Sequence, residues 1–440
     1  MGQGLGTADA DRRRQWMIWG GLLVGLLTLL SVASGGFFLY AALVVLGLLG
    51  LSTLLVSLSV LNLHVERSLS TLEVPYGGTV DAHLTLHNRK PWLALWLFWR
   101  DEVEPGLDVE GAACAFESLH GDATAELRYR LHSTRRGFFR LGPAVVEAND
   151  PFGLVRRFHL GRRAEFITVL PRIVGIAQNW PLGQKPIHEV PKRQSLFEDP
   201  SRFLGVRAYR PGDPLKRIHW RAYARSGELQ VKLFEPAVLD GALLALEMGQ
   251  KAWPPPKDSD LGDPALELAV TVAASLAETV LAGGQKVGLL ANGTDAAERY
   301  PDEFAGGTFR RLDDVLEETA SRRRLRAPVP FEVEAAKGAW QQDRLRVALA
   351  RLTPAEGPSL GAMLHTELPR LPRALVVLVV TPRLDRELTS TLAELRRSGF
   401  DVGVLWIGGG NLRGVALPAG IPVWPIRGDA DLENLGAHGL

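Results

Sequence analysis

Between Trp16 and Leu61 the chain carries no charged side chain. Trp16 to Ala33 is one apolar run, Ser34-Gly35-Gly36 interrupts it, and Phe37 to Leu61 is a second. At 1.5 Å per residue, helices of that length cover the ~30 Å hydrocarbon layer of a bilayer, where each backbone polar group must find its partner within the segment. Residues 1–62 therefore read as a transmembrane helical hairpin. Arg12-Arg13-Arg14 precede it, the turn is uncharged and Arg67 follows, so the positive-inside rule places both ends in the cytoplasm. The expectation is a multi-pass inner-membrane protein in contact with membrane lipid, with the bulk of the chain cytoplasmic. A second reading takes Arg12 to Ala33 as a secretory signal with Ser31 and Ala33 at cleavage positions. The second run would then cross once and leave the same cytoplasmic body. Gly20, Gly21, Gly25, Gly47 and Gly50 permit close helix contact, although Gly is common in membrane helices without marking a dimer interface.

The remainder is long enough for two further domains: the chain has 440 residues, 46% of them hydrophobic. Formal net charge is +1, which gives no reason to expect a nucleic-acid partner. The single cysteine, Cys114, excludes an internal disulfide framework, and without a matched base nearby it reads as a structural or tolerated thiol. From Leu63 to about Arg172 the pattern is that of strands. Thr79 to His87 alternates strictly, Leu95 to Val103 and Ala125 to Leu131 are two more, and Asn88-Arg89, Glu104-Pro105-Gly106 and Asn149-Asp150-Pro151 punctuate them. A small β-sandwich is predicted over residues 63–175. Trp92, Trp96 and Trp99 are either a binding stripe or core and strand-start residues.

From Val238 the order becomes strand, helix, strand. Strands are predicted at Leu243 to Leu246, Lys286 to Ala291, Ala374 to Val380, Val402 to Ile407 and around Pro422 to Trp424. Helices are predicted from Asp263-Pro264 to Ala282, Leu312 to Arg324, Gln341 to Arg351 and Asp385 to Ser398. That alternation predicts a doubly wound α/β domain over residues 237–440. Residues 176–236 are a linker and signature segment. Ile173 to Phe203 is rich in Pro and basic residues, and Trp253-Pro254-Pro255-Pro256 reads as a stiff surface loop.

Within Tyr209 to Pro236, Pro211-Gly212 makes a turn, Asp213 suits an N-cap and Pro214 the first helical position. Leu215, Ile218 and Ala222 then share an apolar face, Gly227 closes the helix, and Leu229 to Leu233 alternates as a strand. Lys216, Arg217, His219, Trp220, Arg221 and Arg225 occupy the other side. Tyr209, Pro211, Gly212, Asp213, Arg217, Trp220, Ala224, Arg225 and Gly227 resemble the signature of domain-of-unknown-function family 58, a bacterial and archaeal family. Arg136-Gly137, Leu141-Gly142-Pro143 and Asp150-Pro151-Phe152-Gly153-Leu154 are similar to a second stretch of that family. The signature reads either as a domain junction, its arginines paired with carboxylates, or as a surface that docks a partner.

The resemblance implies that the last domain is von Willebrand factor A-like, with a Mg²⁺ site where a first strand ends in Asp-x-Ser-x-Ser and later loops add a Thr and an Asp. The corresponding residues here are Glu247, Gly249 and Lys251, and Thr381-Pro382-Arg383 stands at the later strand. An ammonium beside a dication costs Coulomb energy, so this metal site is expected to be degenerate, with Asp385 and Asp295 the acids nearest to restoring it. No phosphate loop, His-Glu-x-x-His or Cys-x-x-Cys is present. Gly408-Gly409-Gly410-Asn411 reads as a turn rather than a phosphate cradle. His219 has no second ligand at metal spacing.

The expectation is a protein without enzymatic activity or cofactor, a membrane-anchored interaction or assembly factor. The family resemblance implies a MoxR-type AAA+ ATPase as partner. The alternative is a metal-dependent enzyme or envelope-remodelling factor using the α/β crevice.

Overall fold

The computed structural model describes residues 19–22, 25–26, 36–176, 198–209, 218–236, 241–253, 263–300, 306–320, 330–408 and 420–435. The chain forms two compact units, Met1–Val169 with Glu298–Arg324, and Leu170–Ala297 with Leu325–Leu440.

In the first unit, Phe37–Ser59 is one 23-residue helix, about 34 Å long. It is long and apolar enough to cross a bilayer, and most of its surface is exposed. Of the first apolar run, residues 19–22 and 25–26 are helical and exposed; the rest lies outside the described residues. The helix ends on the sandwich. Lys90, itself 1% exposed, donates from Nζ to the carbonyls of Leu58 and Ser59 at 2.9 and 2.6 Å, and Leu95 N donates to Ser59 Oγ. A cation suits that place, because the last carbonyls of a helix lack partners and carry its negative dipole end. Burial draws the Lys90 ammonium down to about 8.

Eleven strands follow: β1 (Leu63–Leu69), β2 (Glu73–Val74), β3 (Thr79–Asn88), β4 (Ala94–Arg100), β5 (Leu107–Glu110), β6 (Cys114–Leu119), β7 (Thr124–Ser133), β8 (Gly137–Leu141), β9 (Val145–Asn149), β10 (Arg156–Leu160) and β11 (Glu165–Val169). They make sheets in the orders β1-β3-β7-β5, β10-β9-β4-β6 and β2-β11-β8. Burial alternates along β3 and β7 as their sequences do, and Leu84, Leu86, Leu97, Trp99, Leu131 and Ile167 fill one core. Trp99 is core, with Nε1 on Glu117 Oε1 at 2.9 Å, whereas Trp92 is 45% exposed and Trp96 sits at an irregularity with φ 49°.

Arg67, just past the helix, pairs with the buried Asp101, which also accepts from Tyr129 OH, and Arg67 donates to Leu141 O. Gly142 lies against that guanidinium at φ +79°, where a Cβ would collide with Arg67. The Leu141-Gly142-Pro143 motif thus has a packing reason.

Residues Glu298–Arg324 depart from the sequence reading of 237–440 as one continuous domain. The strand Gly307–Phe309 extends the β10 edge, pairing Phe158 with Phe309, and the helix Leu312–Ala320 covers it by packing Val315 on Val145, Phe158 and Leu160. Tyr300 OH donates to both oxygens of Glu104, and Arg140 donates to Thr319 O. An open β10 edge with apolar Phe158 and Leu160 needs a cover, and local periodicity does not say which segment supplies it.

The second unit holds a six-stranded sheet in the order Phe331–Ala336, Lys286–Ala291, Gly241–Leu246, Leu375–Thr381, Val402–Ile407, Val423–Ile426, parallel apart from the first strand. Its central strands are buried on both faces and alternate between two cores. Ala242, Leu244, Leu246, Val376, Leu378 and Val380 face the helices Pro264–Ala282 and Ala339–Arg351. Leu243, Ala245, Val377 and Val379 face Leu360–Glu367 and Arg386–Arg397. This is why the sequence shows unbroken apolar runs. Pro264–Ala282 is apolar enough for a membrane span but is mostly buried as a core helix.

Two details depart from the sequence reading. Trp253, placed in a surface loop, is 4% exposed with Nε1 on Glu247 O at 2.8 Å. Ile173–Phe203, placed as a linker, begins by docking Val174 and Ile176 on the α/β core. Its residues 177–197 lie outside the described residues.

Candidate functional site

Two places in the second unit gather the residues singled out by sequence. The first is the signature, built on an antiparallel pair of strands, Glu198–Ala208 and Gln230–Pro236. Tyr209 N donates to Leu229 O and His219 N to Gln230 O, while Ile218 bridges Val231, both buried. The helix runs only over Trp220–Ser226. Ile218, read from sequence as part of the helical apolar face, is instead an extended residue anchoring the helix start. Asp213 and Pro214 were expected to begin the helix; with Pro211, Gly212 and Arg217 they lie outside the described residues.

The N-cap is His219, whose Nδ1 accepts from Ala222 N at 2.9 Å, so its ring proton sits on Nε2. Gly227 closes the helix at φ 73°, donating to Tyr223 O, as its sequence position predicts. None of the seven helical residues is buried. Trp220 is 63% exposed and packs edge-on against Tyr223, itself 42% exposed, at 6.3 Å between ring centroids. Arg221 and Arg225 are exposed and make no ion pair among the described residues. Two aromatics and two guanidinium groups are therefore presented together. Tyr223 was missed by sequence reasoning, although its spacing of three from Trp220 puts it on the same helix side.

The second place is the C-terminal edge of the six-stranded sheet at its switch point, between the strands Gly241–Leu246 and Leu375–Thr381. Glu247 leaves the first strand buried, and its Oε1 accepts from Asn292 Nδ2 at 2.7 Å and Gly249 N at 3.0 Å. Asn292 also accepts from Met248 N and donates to Pro358 O. Burial pushes the Glu247 carboxyl above the usual carboxylate range; the bonds from Asn292 and Gly249 and the charge of Arg383 oppose this, while Asp385 adds to it.

Gly249 brings no side-chain oxygen, Lys251 is exposed, and Thr381 Oγ1 is engaged with Arg383 O at 2.8 Å. Asp385 caps the helix Arg386–Arg397 through Leu388 N, and Asp295 pairs with Arg351 at 2.8 Å. Among the described residues no group of three or more His, Cys, Asp or Glu is placed to hold a metal ion. Asn292 was also missed; its only sequence signal is its position directly after an apolar strand.

Residues 205–405 match the family model described as Protein of unknown function DUF58. The uncharacterized protein YeaD of Bacillus subtilis (strain 168) is 23% identical over 320 residues, covering 65% of this chain and 71% of that protein. Among solved structures, the CARDB domain of a Pyrococcus furiosus protein in complex with di-metal ions is similar at 15% identity, covering 25% of this chain and 88% of that chain with a TM-score of 0.18. The PapD-like domain 7 of human CEP192 is similar at 10% identity, covering 24% and 84%, with a TM-score of 0.16.

Proposed function

We propose that this chain is a membrane-anchored docking protein, held in the bilayer by the helix Phe37–Ser59 and binding a protein partner through the helix Trp220–Ser226. The observation that carries this reading is the helix with no buried residue, which holds Trp220, Arg221, Tyr223 and Arg225 in the open on a base of buried Ile218 and Val231. Exposed Trp, Tyr and Arg together are the composition of interface hot spots, whereas a junction would bury the indole. A MoxR-type AAA+ ATPase is the partner that the family resemblance suggests.

The six-stranded sheet serves in this reading as a von Willebrand factor A-like domain with a degenerate metal site. Supporting this, Glu247 and Thr381 lie at the ends of adjacent strands at the switch point, with their oxygens engaged by Asn292, Gly249 and Arg383.

The test is titration of the full chain in nanodiscs against a purified MoxR-type ATPase from the same cell. Trp220→Ala and the pair Arg221→Glu with Arg225→Glu should each weaken binding about thirtyfold or more, the factor for a 2 kcal/mol hot spot. Stability should change by no more than about 0.5 kcal/mol, as for other exposed positions. Unaltered binding by both variants would remove the docking surface.

A further inference from the structure

We propose that the sandwich dips into the leaflet on its own side at the turn Asp150–Gly153, and that the apolar pocket between this turn and the helix Phe37–Ser59 takes an acyl chain of a phospholipid. This rests on reading that helix as membrane-spanning.

The first observation is depth. A cavity of about 150 Å³ is walled on one side by Leu48, Leu51 and Leu55 of the helix and on the other by Trp96, Pro151 and Phe152 of the sandwich. About 20 residues are needed to cross ~30 Å of hydrocarbon, so a span that begins at Phe37 ends near Val56. Leu51 and Leu48 then lie about 7 and 12 Å inside that boundary. The pocket reaches from Leu48 to Ser59 and so straddles that boundary, which sets Pro151 and Phe152 at the top of the acyl region.

The second observation is that the turn is built for a place without water. Pro151 has no N–H. The N–H groups of Phe152, Gly153 and Val155 all donate to Asp150, at Oδ2 (3.3 Å), O (3.0 Å) and Oδ1 (2.7 Å), and Asp150 N donates to Val155 O. Asp150 is itself only 5% exposed. Backbone donors left open would each cost several kcal/mol in hydrocarbon, and here the aspartate closes three of them. What the turn shows to the outside is apolar: Phe152 is 73% and Leu154 59% exposed. Two polar groups of the wall, the Ser52 hydroxyl and the Asn149 side-chain oxygen, have no hydrogen-bond partner among the described residues and gain none from an acyl chain, a desolvation cost set against the apolar contact. The occupant is a lipid because one wall of the pocket is the helix that lipid surrounds.

The experiment uses the full chain in liposomes on a Cys114→Ser background, with a fluorophore at Val45→Cys or at Phe152→Cys and lipids carrying nitroxide quenchers at defined acyl depths. Val45 should be quenched best by the deepest nitroxide, and Phe152 by one near the top of the acyl chain. An unquenched Val45 would overturn the membrane reading. A quenched Val45 with an unquenched Phe152 would overturn this proposal, whether the turn stands in water or under a protein partner. A phosphatidylcholine bearing an acyl diazirine should label the peptides containing Trp96 and Phe152. Ser52→Trp, which fills the pocket, should cut that labelling several-fold while leaving Val45 quenching unchanged. Label confined to the helix would count against the pocket.

Discussion

Glu247 carries a carboxyl into a place with little water, and its consequences can be measured. Burial raises its folded-state proton affinity above the ordinary carboxylate value near 4.3. Across the window upward from that value, the folded chain holds a proton that the unfolded chain has released. The contribution is therefore fully present at low pH and is lost as pH rises through the folded value. Glu247→Gln keeps an oxygen for Asn292 and Gly249 N–H and is neutral in both states. Thermal melts should show the variant gaining on the parent chain from pH 4 to pH 8, and a variant that falls behind toward pH 8 would contradict the assignment. Millimolar Mg²⁺ should shift neither melt; a shift confined to the parent would mark Glu247 as a ligand.

Among elements, the segment Glu298–Arg324 shows how far a piece of chain can act from its neighbours in sequence. The helix Leu312–Ala320 has one side, at Val315, in contact with Val145, Phe158 and Leu160, while Leu316 is 48% exposed. Val315→Ala removes two buried methyl groups and should cost about 1–2 kcal/mol in denaturant titration. Leu316→Ala should stay within roughly 0.5 kcal/mol. Equal effects would mean that the helix does not cover the β10 edge. The signature helix is the opposite case, since its residues bury nothing and its position is fixed by its ends: the His219 cap, the Ile218 bridge and Gly227.

For the whole molecule, the anchoring proposed above makes the orientation of the chain a testable property. On the hairpin reading of residues 1–62, Arg12-Arg13-Arg14 and Arg67 flank the apolar region, and the positive-inside rule predicts both ends of it on the cytoplasmic side. A reporter fused after Leu440 should be active only as a cytoplasmic fusion. Cys114 is exposed, and an impermeant thiol reagent should reach it only after the membrane is opened. Labelling in intact cells would reverse the orientation.

What the sequence determined by itself is whatever short range decides. The apolar run from Phe37, the alternation from Thr79 to His87, the Asp263-Pro264 cap and the unbroken strands Leu375–Thr381 and Val402–Ile407 were legible because side-chain period and capping chemistry act within a few residues. The edge strand Phe331–Ala336 and the helix Leu360–Glu367 carried too weak a pattern to be seen. Only the tertiary structure decided what depends on contact between distant residues. It took Glu298–Arg324 from the α/β unit to the sandwich, buried Trp253 under Glu247, and set Asn292 beside a carboxylate 45 positions away. It also left Trp220 in the open. A tryptophan between cations reads the same in sequence whether it fills a junction or faces a partner, because burial is a property of what the rest of the chain brings to it, and periodicity holds no record of that.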